Sequence, residues 1–162
     1  MCGVNFIKNN IKINNIKDRI IKMNSSLNHR GPDMSDIYKI DNNTFIGHTR
    51  LSIIDLSNNS KQPMISNNKN IISFNGEIIN YKSLKKTLKS SYNFKSNSDT
   101  EVILACYEIK GLDWTLKNLR GMFSFILYDS KLKQRSLIKK VIQSYSIKKL
   151  YRFANDLDKI MT

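Results

Sequence analysis

A cysteine at position 2, followed by Gly3, is the residue whose placement says most about chemistry. A side chain that small next to the initiator allows Met1 to be removed, and the mature chain would then open on Cys2. An N-terminal cysteine carries a thiol nucleophile and a free α-amine of ordinary pKa ~7.7–8.0, a base that is substantially neutral near physiological pH. Nucleophile and proton acceptor would be one residue. By itself a cysteine at position 2 is better explained by chance, so the reading needs companions. The second cysteine, Cys106, sits on an apolar stripe and reads as a core thiol. Two cysteines make neither a disulfide scaffold nor a zinc site. His29 and His48 are nineteen residues apart, with no third ligand at metal spacing. They read as hydrogen-bonding residues, and no metal is assigned. Met34, Met64 and Met122 read as packing or loop residues.

The elements that must position such a cysteine follow from periodicity. Cys2 to Ile7 is β-prone and makes a first strand. Ile16, Ile20, Met23 and Leu27 recur at spacings of four, three and four, one apolar face of a short helix with Asp18 near its start. His29-Arg30-Gly31-Pro32-Asp33 forces a turn. Phe45 to Leu56 reads as a strand with an irregular, charge-bearing middle, and Asn58, Asn59 and Ser60 mark a loop. Ile71 to Phe74 is a short apolar strand running into Asn75-Gly76, the strongest local turn signal in the chain. Tyr81, Leu84 and Leu88 form a helical stripe. Ser98 with Glu101 has the pattern of a capping box ahead of Val102, Ile103, Cys106 and Tyr107. Trp114, Leu116 and Leu119 suggest a third short helix, and Met122 to Tyr128 a buried strand. Strands and helices are segregated and do not alternate strictly, which predicts an α+β fold and not a doubly wound sheet.

Composition excludes several classes. The chain has 162 residues, 40% of them hydrophobic, enough for one domain with a core. No run approaches the ~18 apolar residues of a membrane span. The N-terminus lacks a charged region followed by a long apolar stretch, so secretion is not expected and a cytoplasmic location follows by default. The net charge is +14; residues 1–130 hold 18 basic and 11 acidic side chains, residues 131–162 hold 9 and 2. A nucleic-acid or membrane-surface patch is the sharp reading of that excess. Against it, 21 of the 27 basic residues are lysine, and no stretch interleaves arginine with aromatic residues. A nucleic-acid partner is therefore not expected.

The companions of Cys2 stand in order along the chain: HRGPD at 29–33, GHTRLSIIDL at 47–56, QPM at 62–64, FNGEIINY at 74–81, SDTEVIL at 98–104 and GMFSFILYD at 121–129. Together they closely resemble the glutamine-hydrolysing domain of asparagine synthetase. That resemblance covers residues 2–129 and implies a class II amidotransferase with the αββα sandwich of the N-terminal nucleophile (Ntn) hydrolases. HRGPD with RLSIIDL resembles the asparagine synthetase branch more than the phosphoribosyl or hexosamine amidotransferases.

Hydrolysing a carboxamide requires a nucleophile, a proton acceptor, and donors aimed at the oxygen that becomes negative. Cys2 supplies the first two. The resemblance assigns the side-chain amide of Asn75 and the backbone N–H of Gly76 as the oxyanion donors, where an ordinary hairpin turn is the alternative. It places Arg50 on the α-carboxylate of glutamine, a role its planar fork suits better than a lysine. It places Glu77 and Asp99 on the α-ammonium, and Ile53 on the pocket wall through its backbone. The ordinary alternatives are a surface ion pair for Arg50 and a helix N-terminal residue for Asp99. No cofactor is implied for glutamine hydrolysis.

Ile79 replaces the tyrosine usual in the family's NGEIYNY motif, a change that leaves the named groups in place. After Asp129 the pattern degrades, and only Ser146 to Tyr151 echoes the family's continuation. The expected organisation is a glutaminase domain over 2–130 with a divergent, basic tail over 131–162. The family's second, ATP-using synthetase domain is absent from the expected organisation, so the chain is not expected to make asparagine alone. Glutamine is the expected partner molecule, and a separate synthetase-like subunit is the candidate receiver of ammonia. The alternative is a catalytically silent module that binds glutamine or a partner protein.

Overall fold

The computed structural model describes residues 2–9, 15–132 and, as backbone, 134–140. In chain order the elements are β1 (Gly3–Lys8), α1 (Ile16–Ser26), β2 (Met34–Asp41), β3 (Thr44–Arg50), β4 (Met64–Ile65), β5 (Ile71–Ile78), α2 (Tyr81–Leu88), α3 (Asp99–Asn118), β6 (Gly121–Asp129) and β7 (Gln134–Lys140). They form two antiparallel sheets, ordered β1-β3-β2 and β4-β5-β6-β7.

Side-chain alternation along the strands decides which face meets what. On β5 and β6, Ile72, Phe74, Ile78, Phe123, Phe125 and Leu127 form a core with Leu84 and Leu88 of α2 and Val102 to Cys106 of α3. The alternate residues Ile71 and Ile126 face the other way and meet Ile46 of β3, with Val4 and Phe6 of β1 packed beside them. The outer face of the first sheet is covered by α1, through Ile16, Ile20 and Phe45. Helix, sheet, sheet, helices is the αββα order that the sequence resemblance implies.

Several elements depart from the expectations drawn from sequence. The strand read from Phe45 to Leu56 ends at Arg50, and β2 has no counterpart in the sequence reading. At one edge of its sheet, β2 is half exposed and its apolar residues follow no clean period. The α1 stripe continues through Asn24, not Leu27. Asn24 is buried and donates to Ser35 Oγ (3.1 Å) and the Asp36 carbonyl (2.9 Å) while accepting from Asn5 Nδ2 (2.7 Å). Leu27 is only the C-terminal cap. The two helices expected after Ser98 are one assigned element broken at Gly111 (φ 78°). Ser98 caps α3 by accepting from Glu101 N, but the Glu101 carboxylate turns to the 95–96 backbone, accepting from Lys95 N (2.9 Å) and Ser96 N (2.7 Å). The capping box is therefore half formed. Strand β7 pairs with β6 from Asp129↔Gln134 to Phe123↔Lys140, inside the stretch read as a tail. The Ser146 to Tyr151 echo lies outside the described residues.

The largest correction concerns Asn75-Gly76. It is no turn: both residues lie within β5, opposite Ser124 and Phe123 of β6. Gly76 sits at φ 146°, and a Cβ there would come 2.2 Å from the Met122 carbonyl oxygen. The glycine is used for a close strand crossing and not for reversal of the chain.

Candidate active site

One end of the layer between the sheets opens into a cavity of about 350 Å³. It is lined by Cys2, Arg50, Ile53, Asn75, Gly76, Glu77 and Asp99, and also by Asp55, Ser60, Gln62, Thr100 and Met122. All seven residues singled out in the sequence are thus brought to one cavity, Ile53 from the loop after β3 and the other six from four separate places in the chain. The chain start, the end of β3, the middle of β5 and the first turn of α3 converge there.

Cys2 is held against the end of β3. Its Sγ lies 3.4 Å from Leu51 N and 3.7 Å from Leu51 O. The backbone on either side is clamped, because Arg30 Nε donates to the Cys2 carbonyl (3.2 Å) and Gly3 N donates to Thr49 Oγ1 (3.1 Å). The HRGPD segment therefore serves the site by fixing where the chain begins β1.

Gly76 presents its N–H to the cavity by a simple alternation. In an antiparallel pair, successive N–H groups point to opposite sides of the strand. Ile79 N donates to Arg120 O of the neighbouring strand segment (2.8 Å), so the N–H groups of Phe74, Gly76 and Ile78 point away from β6. Phe74 N is taken by Gln62 Oε1 (2.7 Å) and Ile78 N by Asp99 Oδ2 (3.1 Å). Gly76 lies between two side-chain acceptors that both line the cavity, and its N–H faces the space between them. Asn75 adds a side-chain amide from the same strand. Its Oδ1 is buried without a hydrogen-bond partner among the described residues.

Arg50 is buried (6% exposed) at the cavity floor. Its Nη2 donates to the Asp55 carbonyl and to Ser60 Oγ (2.6 Å). Both bonds use one nitrogen, so the fork is oriented while other N–H groups are left for a ligand. This buried setting replaces the surface ion pair that was the ordinary alternative. Asp99 is also buried (4% exposed). Burial pushes its carboxyl up to about 6, against the lowering effect of the Ile78 and Thr100 N–H groups, and nearby Glu77 raises it further. Such a carboxylate gains from a cation arriving beside it. Asp99 is at once the first residue of α3 and a wall of the cavity.

His48 lies one step deeper on β3. It is fully buried, its Nδ1 is 2.9 Å from Ser73 Oγ on β5, and burial together with Arg50 pushes its pKa down to about 3. It is neutral at physiological pH and ties the two sheets beneath the site. Among the described residues no group of three or more His, Cys, Asp and Glu side chains is placed to hold a metal.

Ile53 lines the cavity from an exposed loop and is itself 73% exposed. Met122, read from sequence as a packing residue in a buried strand, instead faces the cavity and is largely exposed. Sequence reasoning gave no role to Asp55, Ser60 or Gln62. Asp55 and Gln62 fall within quoted fragments, and Ser60 carried no signal beyond a loop composition.

Comparison with known proteins places these features. Residues 1–151 match the glutamine amidotransferase domain family. The chain is 41% identical over 117 residues to asparagine synthetase B [glutamine-hydrolyzing] of Escherichia coli (strain K12), covering 72% of this chain and 21% of that protein. It is 40% identical over 114 residues to asparagine synthetase [glutamine-hydrolyzing] 1 of Arabidopsis thaliana, 70% of this chain and 19% of that one. The Zea mays asparagine synthetase [glutamine-hydrolyzing] is 37% identical over 133 residues, 81% and 22%. The chain spans about a fifth of the length of these relatives. Among solved structures, the glutamine phosphoribosylpyrophosphate amidotransferase from B. subtilis, complexed with ADP and GMP, aligns over 61% of this chain and 24% of its own, at 24% identity and TM-score 0.49.

Proposed function

The chain belongs to the glutamine amidotransferase domain family, and from that premise we propose that its cavity hydrolyses glutamine to glutamate and ammonia through a thioester on Cys2. The observation that carries this reading is the convergence of Cys2, Arg50, Asn75, Gly76, Glu77 and Asp99 on one cavity.

With Met1 removed, the α-amine of Cys2 takes the thiol proton and the sulfur attacks the side-chain carbonyl carbon of glutamine. The oxygen that becomes negative is met by the Gly76 N–H and the Asn75 amide. The C–N bond then breaks, the protonated amine gives its proton to the departing ammonia, and a water attacks the thioester. Breaking the C–S bond returns glutamate and the free thiol. The α-carboxylate of the substrate pairs with Arg50, and its α-ammonium with Asp99 and Glu77. These steps use only side chains and backbone of this chain, so we assign no cofactor to them.

The ammonia goes, on this reading, to a synthetase-like unit that activates its acceptor, in keeping with the names of the relatives. No described helix is long and apolar enough to cross a membrane. We place the reaction in the cytoplasm, where a free thiol is maintained.

The test is incubation of the purified chain with L-glutamine, with its N-terminus read by intact mass. Glutamate and ammonia should appear in equal amounts. A chain that begins at Cys2, keeps its fold and releases neither would leave the silent binding module as the better reading.

Asp99 gives the binding step a pH dependence of definite sign. The carboxyl must be ionised to pair with the α-ammonium, and in the empty chain it gains its proton as pH falls through about 6. Glutamine affinity should therefore be level above pH 7 and weaken about tenfold per unit below 6. Equilibrium binding to the Cys2→Ala chain measures this without turnover. Asp99→Asn should bind weakly and show no such dependence.

A further inference from the structure

The 51–60 loop does more than close one side of the cavity. Its residue Asp55 is bonded to Arg50 at one end and to Asn97, in the segment leading into Asp99, at the other. The Asp55 carbonyl accepts from Arg50 Nη2 and from Ser60 Oγ (2.6 Å), and Ser60 Oγ is itself 2.6 Å from Arg50 Nη2. The Asp55 side chain reaches the other way. Its Oδ2 accepts from Asn97 N (2.7 Å), two residues before Asp99, while Oδ1 accepts from Ser57 N (2.8 Å).

A second pair of bonds keeps the loop from swinging as a whole. Ser52 N donates to Asp33 Oδ2 (2.7 Å), and Asn59 Nδ2 donates to the Lys95 carbonyl (3.1 Å). The N–H of Asn97 is the largest influence holding the Asp55 carboxyl below its ordinary range, and it acts with the Ser57 bonds and Arg50 against partial burial. Asp55 is therefore ionised at neutral pH and accepts charge-assisted bonds. Without it, Arg50 on β3 and Asp99 on α3 would be related only through the loop and the sheet core.

We propose that Asp55 is a positioning residue that fixes the distance between the group binding the α-carboxylate and the group binding the α-ammonium, and so selects amides carrying both charges. The proposal rests on the reading of this cavity as a glutamine site. Two charged ends on one carbon fix their own spacing, and an interaction with both is gained only when the protein groups hold the matching separation. A ligand with one charged end makes no such demand.

The experiment compares L-glutamine with glutaramate, which keeps the carboxylate and the carboxamide but lacks the α-amine. Equilibrium dissociation constants are measured on the full Cys2→Ala chain, and again with Asp55→Ala or Asp55→Asn added, alongside thermal melting of each. Asp55→Ala removes the link to Asn97 but keeps the backbone carbonyl that holds Arg50. The affinity for L-glutamine should fall on the order of tenfold or more, while that for glutaramate falls less than about threefold. Asp55→Asn retains one acceptor oxygen at nearly the same volume, and should show a smaller loss of the same preference.

An equal loss for both ligands would show that Asp55 merely supports the loop, and would overturn the proposal. So would unchanged affinities with a lowered melting temperature. If Asp55→Ala does not fold, an unchanged preference in Asp55→Asn overturns it. A Cys2→Ala parent that binds neither ligand would instead overturn the glutamine reading itself, an outcome the parent alone reveals.

Discussion

Replacing Cys2 with alanine is expected to reduce glutamate release to background while leaving the fold intact. The other thiol cannot take over: Cys106 is fully buried in the core between α3 and the second sheet, and burial pushes its thiol up to about 12. Removing Cys2 Sγ costs the structure only two long contacts with the Leu51 backbone. Folding stability should therefore change by less than about 1 kcal/mol. Cys2→Ser should also be severely impaired, because a hydroxyl is a far weaker nucleophile at neutral pH. Stopped assays of glutamate, with melting curves of the same preparations, decide the matter. Equal activity in Cys2→Ala and the parent would end the thioester mechanism.

Asn75→Ala should lower kcat on the order of 10²–10³ with little change in KM. The reason for separating the two constants lies in where Asn75 stands. Its side chain makes no hydrogen bond among the described residues, and its Oδ1 is buried there without a partner, so the expected loss from truncation falls on the transition state. Arg50→Lys should behave in the opposite way. A lysine cannot keep the fork toward a carboxylate while also holding the Asp55 carbonyl and Ser60 Oγ. Its KM for glutamine should rise steeply and its kcat should fall much less. Full saturation curves distinguish the pair, and an unchanged KM in Arg50→Lys would remove the carboxylate assignment.

Much of the architecture could be read from local patterns. The stripe of α2 and the short strand at Gly3–Lys8 were legible because a period of 3.6 or 2 survives in sequence when one face meets a core. The first half of α3 and β6 are buried on both sides, and they were legible as a capping pattern ahead of an apolar run and as an apolar run. Strands β2 and β7 were not. Strand β2 is half exposed and its apolar residues follow no regular alternation, and β7 lies where the sequence pattern degrades after Asp129. Asn24 escaped for a different reason: it is a polar residue on a buried helical face, satisfied by Ser35, Asp36 and Asn5 from two other strands, and nothing local to α1 shows those partners.

The sequence by itself singled out the candidate reacting groups. A cysteine placed to become the first residue, an arginine, an amide next to a glycine, and two carboxylates name the chemistry, and their order along the chain names the family. What only the tertiary structure decided is how they act together. Asn75-Gly76 has the composition of a turn, yet pairing with β6 extends it, because β5 must pass close to Met122 and Phe123 and only glycine fits there. That extension turns the Gly76 N–H toward the cavity, between the bonds that Gln62 and Asp99 make to its neighbours. The direction of the Gly76 N–H and the bond from Asn97 to Asp55 arise from contacts between residues 12 to 42 positions apart, and the raised pKa of Asp99 from its burial. Such contacts exist only after the two sheets have closed on each other, and no local spacing encodes them.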